Sequence, residues 1–179
     1  MPEPVIIETP RTFLREFVAT DVDALAAVIS DPDTMRYYPV PFDREAVEQW
    51  ILRNRRRYAI NGHGLWAMVL KSSGELVGDC GLVRQTIEGI EEVEIGYHVR
   101  RDLWSQGLAT EAAAACRDYG LAHLSVDRLV SLIRPENLPS RRVAEKIGLR
   151  VWKEVTWHDL PHLLHVIRRH EMQDRRRGT

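Results

Sequence analysis

Ten residues, Leu103-Trp104-Ser105-Gln106-Gly107-Leu108-Ala109-Thr110-Glu111-Ala112, carry the most specific chemical signal in this chain. An apolar strand, Val93 to Val99, enters a short basic bend; a loop with one glycine follows, then an alanine-rich helix. Such a junction aims several backbone N–H groups, at the positive end of a helix, toward whatever lies before the loop. Phosphate oxygens suit that place. No Lys-Ser/Thr pair ends the loop, so it is not a nucleotide P-loop. It reads as a backbone cradle for a pyrophosphate.

A second signal lies just upstream. In the strand Glu91 to Val99, alternation sends Val93, Ile95, Tyr97 and Val99 to one face and Glu92, Glu94, Gly96 and His98 to the other. Acidic residues are poor strand formers. Glu94 is therefore either part of a solvated face of an antiparallel sheet or a general base beside the loop, its pKa raised by partial burial. A third is Pro135-Glu136-Asn137-Leu138-Pro139-Ser140 before a helix. Asn137 suits an N-cap and Pro139 the first turn, which leaves the Ser140 hydroxyl free. Capping alone accounts for Asn137. Two strand-to-helix junctions, at 99–106 and 133–138, can nevertheless share one cleft at the carboxyl ends of their strands.

Other candidates are weaker. His158, His162 and His165 fall at i, i+4 and i+7, but Pro161 breaks any helix there, and zinc needs three or four convergent ligands. No metal is expected. Gly62-His63-Gly64 lacks the third glycine and the preceding strand of a dinucleotide fingerprint. Arg53, Arg55, Arg56 and Arg57 share a helix with Glu45 and Glu48 and read as a solvated face.

The elements that must position these residues are legible in outline. Arg11 to Phe17 reads as a strand, and Thr20-Asp21 opens a helix with Val22, Leu25, Ala26 and Ile29 at helical spacing. Asp31-Pro32-Asp33 stops it, and Met35 to Phe42 is a loop or single turn. Asp43 caps a second helix to about Ile60, with Val47, Trp50, Ile51 and Tyr58 inward. Leu65 to Lys71 and Glu75 to Val83 form a hairpin at Ser73-Gly74. Glu91 to Val99 follows a turn near Gly89. A helix over about 106–121, a strand Arg128 to Ile133, a helix Leu138 to Ile147, and strands Arg150 to Trp157 and Leu163 to Arg169 complete the chain. Hairpins followed by strand–helix–strand units predict an α/β (α+β) fold on a mixed sheet.

Size and charge bound the rest. The chain has 179 residues, 44% apolar and 28% charged, as in one soluble globular domain over 1–179. Net charge is 25 − 26 = −1, which argues against nucleic acid or an anionic membrane as main partner. Cys80 and Cys116 form no CxxC pair and suit a reducing cytoplasm. Met1-Pro2-Glu3-Pro4 does not begin a leader, no run reaches the ~18 apolar residues of a membrane span, and 174–179, with Arg175-Arg176-Arg177, is expected to fray.

Taken together, Glu94-Ile95-Gly96-Tyr97, Trp104 to Ala112, Asn137-Leu138-Pro139-Ser140 and Val143 to Leu149 resemble the GNAT superfamily of N-acetyltransferases. Within it they are most similar to the ribosomal-protein N-terminal acetyltransferases of RimJ/RimL type. Arg11-Thr12-Phe13-Leu14-Arg15 and the Ser30-Asp31-Pro32 to Tyr37 stretch also match, so the resemblance covers a core of about residues 9–171. It implies a mostly antiparallel, strongly twisted sheet of about six to seven strands with about four helices, acetyl-CoA as donor, and a primary amine as acceptor.

By that resemblance, Trp104, Ser105, Gln106, Gly107, Leu108, Ala109 and Thr110 form the pyrophosphate loop. The backbone of Tyr97, His98 and Val99 pairs with pantetheine like another strand, Asn137 and Ser140 lie along that arm, and Arg101, Arg142 and Lys146 are candidates for phosphates. Glu94 is the expected general base with His98 as relay partner, an N–H near Val99 would stabilise the oxyanion, and Ser140 would serve the departing thiolate. Many relatives have Arg or Gln where Trp104 stands, and a tyrosine acid on the last strand where His165 stands; histidine can donate a proton near neutral pH. Arg36, Tyr37 and Tyr38, in the loop Met35 to Phe42, are expected to flank the acceptor with the second helix and the hairpin near 157–162. Glu88, Glu91, Glu92 and Glu94 favour a cationic one. A protein N-terminus, a polyamine, an antibiotic amine and an amino acid stay open, and a homodimer is expected by analogy only. Two other readings stand beside the enzyme: a CoA-binding regulatory module without catalysis, and a metal-dependent hydrolase.

Overall fold

The computed structural model of the chain describes residues 3–172. Met1-Pro2 and the tail 174–179, expected to fray, lie outside the described residues. Eight strands form one sheet: β1 (Val5–Glu8), β2 (Thr12–Arg15), β3 (Leu65–Leu70), β4 (Leu76–Ile87), β5 (Ile90–Val99), β6 (Arg128–Ile133), β7 (Arg150–Trp157) and β8 (Leu160–Arg168). Their order across the sheet is β1-β2-β3-β4-β5-β6-β8-β7. Every neighbouring pair is antiparallel except β5–β6, which is parallel. Four helices flank it: α1 (Val22–Ile29), α2 (Arg44–Asn61), α3 (Leu108–His123) and α4 (Leu138–Lys146).

The count of eight strands corrects the expected six to seven. β1 is only four residues long and shows no apolar alternation, so it carries little local signal. β8 also begins three residues earlier than expected. His158 and Asp159 both adopt positive φ (47° and 60°) and make a two-residue turn that lets Leu160 pair with Trp157 at once. Pro161 is tolerated because β6 pairs with β8 only from Leu163 onward, so Pro161 has β7 alone as neighbour.

The helices follow local chemistry. Asp43 Oδ1 accepts the Ala46 N–H at 2.8 Å, and Gly62 closes α2 at φ 73° with its N–H on Tyr58 O. Between those caps Val47, Ile51, Asn54 and Tyr58 are buried, spaced four, three and four apart. On β4, consecutive side chains go to opposite faces. Asp79 meets Trp50 of α2, whereas Cys80 Sγ lies 3.5 Å from Cys116 Sγ on α3. Thus α2, with α1 packed on it, covers one face, and α3, with α4 beside it, covers the other. Leu82, Ile95, Leu129 and Ile167 are buried to within 1% in the resulting core, each contributing about 1.5–3 kcal/mol of transfer free energy.

One irregularity positions the site. β5 pairs with β4 along its whole length, from Ile87↔Ile90 to Gly78↔Val99, but meets β6 at a single register, Glu94↔Val130. Beyond Glu94 the two parallel strands diverge. The chain leaves β5 through one 3-10 turn, Arg101–Leu103, into α3, and leaves β6 into α4. Two helix N-termini therefore flank the gap between two strand C-termini.

Candidate active site

The loop before α3 is built as a set of free donors. Ser105 (φ 61°) and Gly107 (φ 81°) both turn through the left-handed region, and Gly107 is the N-cap with no side chain to cap the helix. The first-turn N–H groups of Leu108, Ala109 and Thr110 therefore have no intrahelical acceptor. Glu111 is the one acid of that turn, and it is drawn away from those donors. Its carboxylate takes the Thr9 hydroxyl at 2.7 Å and the Arg11 N–H and Nε at 2.8 Å each. Arg11 Nη1 also donates to Gln106 O at 2.8 Å, clamping the loop from outside. Residues 104–107 are exposed. Such an arrangement receives an anion at a helix N-terminus.

The gap beyond Glu94 adds a second set. Arg100 N–H donates to Val77 O on β4, so even-numbered residues of β5 point their backbone toward β4. Ile95, Tyr97 and Val99 consequently face the gap, where no strand pairs with Tyr97 or Val99 among the described residues. Ser131 Oγ donates to Ile95 O at 2.9 Å, and the 42%-exposed Trp104 donates from Nε1 to Val99 O at 2.7 Å. Trp104 thus stands at the mouth of the gap, holding one of its carbonyls. Across from it, Asn137 Oδ1 caps α4 by accepting Ser140 N–H at 3.2 Å, and Tyr97 donates its phenol to Ser140 O at 2.8 Å. The Ser140 hydroxyl makes no hydrogen bond to the described residues.

The acids on and beside β5 separate by partner. Glu88 pairs with Lys153, Glu91 with Arg84 at 3.5 Å, and Glu92 accepts Arg128 Nε at 3.0 and 3.1 Å. Glu94 alone of the four has no lysine or arginine within 4.0 Å among the described residues. It accepts Gln85 Nε2 at 2.9 Å and Leu132 N–H at 3.3 Å. Burial pushes its carboxyl above the usual range, against those hydrogen bonds and the charges of Arg57 and His98. An unpaired carboxylate with a raised pKa is suited to accept a proton.

His98 lies two pleat repeats further on, on the same face as Glu94. Its Nδ1 is 2.7 Å from Asp79 Oδ1, its Nε2 is 2.9 Å from the Tyr38 hydroxyl, and Asp79 Oδ2 accepts Trp50 Nε1 at 2.9 Å. Burial opposes a charge on His98, but the Asp79 carboxylate and its hydrogen bond, helped by Glu94, outweigh it and raise the pKa. Tyr38, Phe42, Trp50 and His98 form one aromatic group with centroids 5.3–6.4 Å apart. Asp79 and Trp50 were not singled out as site residues in the sequence. Asp79, in Gly78-Asp79-Cys80, shows the same signal as Glu94, a lone acid inside an apolar strand.

Not every candidate converges. Arg36 is exposed and pairs with Asp33 at 2.8 Å, and Tyr37 is half-buried beside it. Arg101 also pairs with Asp33, so it ties the 31–38 loop to the turn after β5. Arg142 and Lys146 are exposed on α4 without an ion pair among the described residues. His165 is fully buried on the α3/α4 face, opposite to Glu94, across from Ser131 on β6. Its Nδ1 is 3.3 Å from Leu163 O, its Nε2 has no partner among the described residues, and burial lowers its pKa. His162 points to the other face of β8, and no group of three His, Cys, Asp or Glu suited to a metal occurs among the described residues. No helix there is long and apolar enough to cross a membrane. A shallow depression lined by Glu16, Leu52, Arg55, Arg56, Tyr58 and Ala59 shares none of the residues of this cleft.

Known proteins are similar to this chain in sequence and fold. The acetyltransferase (GNAT) domain family matches residues 11–150. The uncharacterized protein YkkB of Bacillus subtilis (strain 168) is 41% identical over 128 residues, 72% of this chain and 74% of its own length. The uncharacterized N-acetyltransferase YnaD of the same organism is 31% identical over 145 residues, covering 80% and 82%. Among solved structures, the acetyltransferase from Agrobacterium tumefaciens str. C58 superposes with a TM-score of 0.80 at 26% identity, over 93% of this chain and 95% of that one. With the family match running from the start of β2 to the start of β7, the chain belongs to the GNAT acetyltransferases and is an acetyl-transferring enzyme.

Proposed function

We propose that the enzyme moves an acetyl group from acetyl-CoA to a primary amine by direct attack, with Glu94 as general base. One observation carries this reading: among the described residues Glu94 is the single acid of its strand without a cationic partner, half-buried, where β5 parts from β6. A protonated amine is not a nucleophile, so a base must take its proton first, directly or through water. The donor supplies the activated acyl group as a thioester. The N–H groups of Gln106 to Thr110 hold its pyrophosphate, assisted by Arg101, and the open edge of Tyr97 to Val99 pairs with its pantetheine arm between the two helix N-termini. An N–H at Val99 stabilises the developing oxyanion. The free hydroxyl of Ser140 serves the departing sulfur, and His165 is the second candidate for that proton.

The acceptor is a peptide N-terminus, as in the ribosomal RimJ/RimL branch, or a small-molecule amine, flanked by Arg36, Tyr37 and Tyr38. The activity belongs to one cytoplasmic domain of about residues 9–171, as a homodimer, without metal, nucleic acid or membrane. Calorimetry with acetyl-CoA, followed by thiol-release assays on a peptide N-terminus, a polyamine, an aminoglycoside and an amino acid, tests the reading. Binding with thiol release on at least one amine is expected. No binding at millimolar donor, or binding without transfer to any amine, overturns it. Unchanged turnover in Ser140→Ala and His165→Gln removes those residues individually.

A further inference from the structure

We propose that Tyr38 is a second catalytic residue, which takes a proton from the acceptor nitrogen while passing its own to His98, with Asp79 and Trp50 as positioning residues. The proposal rests on the acetyl-transfer reading above and adds to it a second proton route on the acceptor side.

Proton accounting calls for such a route. An ammonium acceptor loses two protons on becoming an amide. One leaves before attack, and one leaves the nitrogen as its bond to the acetyl carbon forms and the carbon–sulfur bond breaks with its electron pair on sulfur. One proton ends on sulfur and one in solvent. Glu94 holds one proton at a time, and its hydrogen bonds run to Gln85 and Leu132, not to His98.

The geometry fixes the direction of the second route. A tryptophan N–H can only donate, so the 2.9 Å contact from Trp50 leaves Asp79 Oδ2 an acceptor. Asp79 has no exposed surface, and its other oxygen is 2.7 Å from His98 Nδ1. With a carboxylate oxygen as its acceptor, Nδ1 carries hydrogen, and the ring, when neutral, presents its lone pair at Nε2. The Tyr38 hydroxyl stands 2.9 Å from that lone pair and donates to it. When Tyr38 oxygen takes a proton from the acceptor nitrogen, its own moves to Nε2, and the imidazolium so formed lies against Asp79. After product leaves, the proton returns through Tyr38 to solvent. The chain of contacts runs from Asp79, which has no exposed surface, to Tyr38, a residue that is 41% exposed.

The titratable groups facing His98 are Asp79 from β4, Glu94 from β5 and the neutral Tyr38 phenol from the loop. From α2, Arg53 stacks on Trp50 at 5.3 Å, and the charge of Arg57 acts on Glu94.

Nitrogen-15 NMR of the full chain tests the relay without any variant. Above its titration, His98 is expected as the Nδ1–H tautomer; an Nε2–H tautomer overturns the proposal. Kinetics on the best amine of the panel then test catalysis. Tyr38→Phe should lower kcat on the order of 10²-fold with KM within about twofold. Asp79→Asn removes the charge that favours imidazolium, so the acid limb of kcat/KM that reports His98 should move to lower pH. A Tyr38→Phe enzyme with wild-type kcat, or an Asp79→Asn enzyme that folds and keeps its acid limb, overturns the proposal. If wild-type enzyme acetylates no amine, the acetyl-transfer reading is what fails, and the tautomer of His98 still decides the relay.

Discussion

Glu94→Gln separates a proton acceptor from a packing residue. The replacement is close to isosteric. Its amide oxygen still accepts Leu132 N–H, and the Gln85 amide, now 2.9 Å from Glu94 as a donor, can flip to present its oxygen to the new amide group. Lost activity therefore reports lost basicity. A positioned general base contributes about 10²- to 10⁴-fold, which at 1.36 kcal/mol per decade is roughly 2.7–5.4 kcal/mol of barrier. Stability should move the other way. Burial raises the folded-state pKa of Glu94 above its unfolded value, so the folded chain binds more protons in the window from the unfolded value of 4.5 up to the raised one. Folding stability falls as pH rises through that window. Glu94→Gln removes this loss and should be at least as stable as wild type at pH 8. His98 has the same sign in its own window above 6.5, so wild type and variant must be compared at each pH. Thiol-release kinetics give kcat/KM, and urea unfolding at pH 5 and pH 8 gives the stability difference. A variant with unchanged kcat/KM and an unchanged acid limb refutes the assignment. One that loses activity and stability together shows that Glu94 acts through packing.

Three further substitutions probe the frame. Gly107→Ala forces an L side chain to φ 81°, where it meets nothing closer than Arg11 Nη2 at 3.5 Å; the cost is backbone strain of about 1–2 kcal/mol, read as a lower urea midpoint and weaker binding of CoA in calorimetry. Asn137→Ala removes the cap from Ser140 N–H and should cost about 0.5–2 kcal/mol in urea unfolding. Glu92→Gln breaks the bidentate pair with Arg128, whose side chain keeps 30% exposure and so retains some water; about 1–2 kcal/mol of stability should be lost while kcat/KM is unchanged, in contrast to Glu94→Gln two residues away.

What could be read in the sequence divides along the range of the interactions concerned. α2 was legible because Asp43, its apolar stripe and Gly62 all act within one turn of themselves. β6 was legible from its own run of Leu, Val and Ile. Glu94 showed itself as an acid where the strand pattern asks for something else. The Asp79–His98–Tyr38 chain did not, because its members lie 19 and 60 residues apart and meet only when β4 pairs with β5 and the loop before α2 folds over both. β1 escaped for a related reason: its four residues become a strand through pairing with β2, not through a pattern of their own. The contact of Trp104 with Val99 was equally hidden, since the indole reaches back five residues to a carbonyl that has no strand partner.

The single register between β5 and β6 also bears on cohesion. To one side lie five strands and to the other three, and across the seam the backbone contributes one bridge while side chains such as Ser131 and Tyr97 supply much of the rest. A ligand arm paired along Tyr97 to Val99 would act as a missing strand and make the sheet continuous. Donor occupancy and mechanical unity of the two leaves then become the same variable. At a hundredfold excess over Kd, binding adds about 2.7 kcal/mol to folding, and that energy would be concentrated at the seam where the sheet is thinnest.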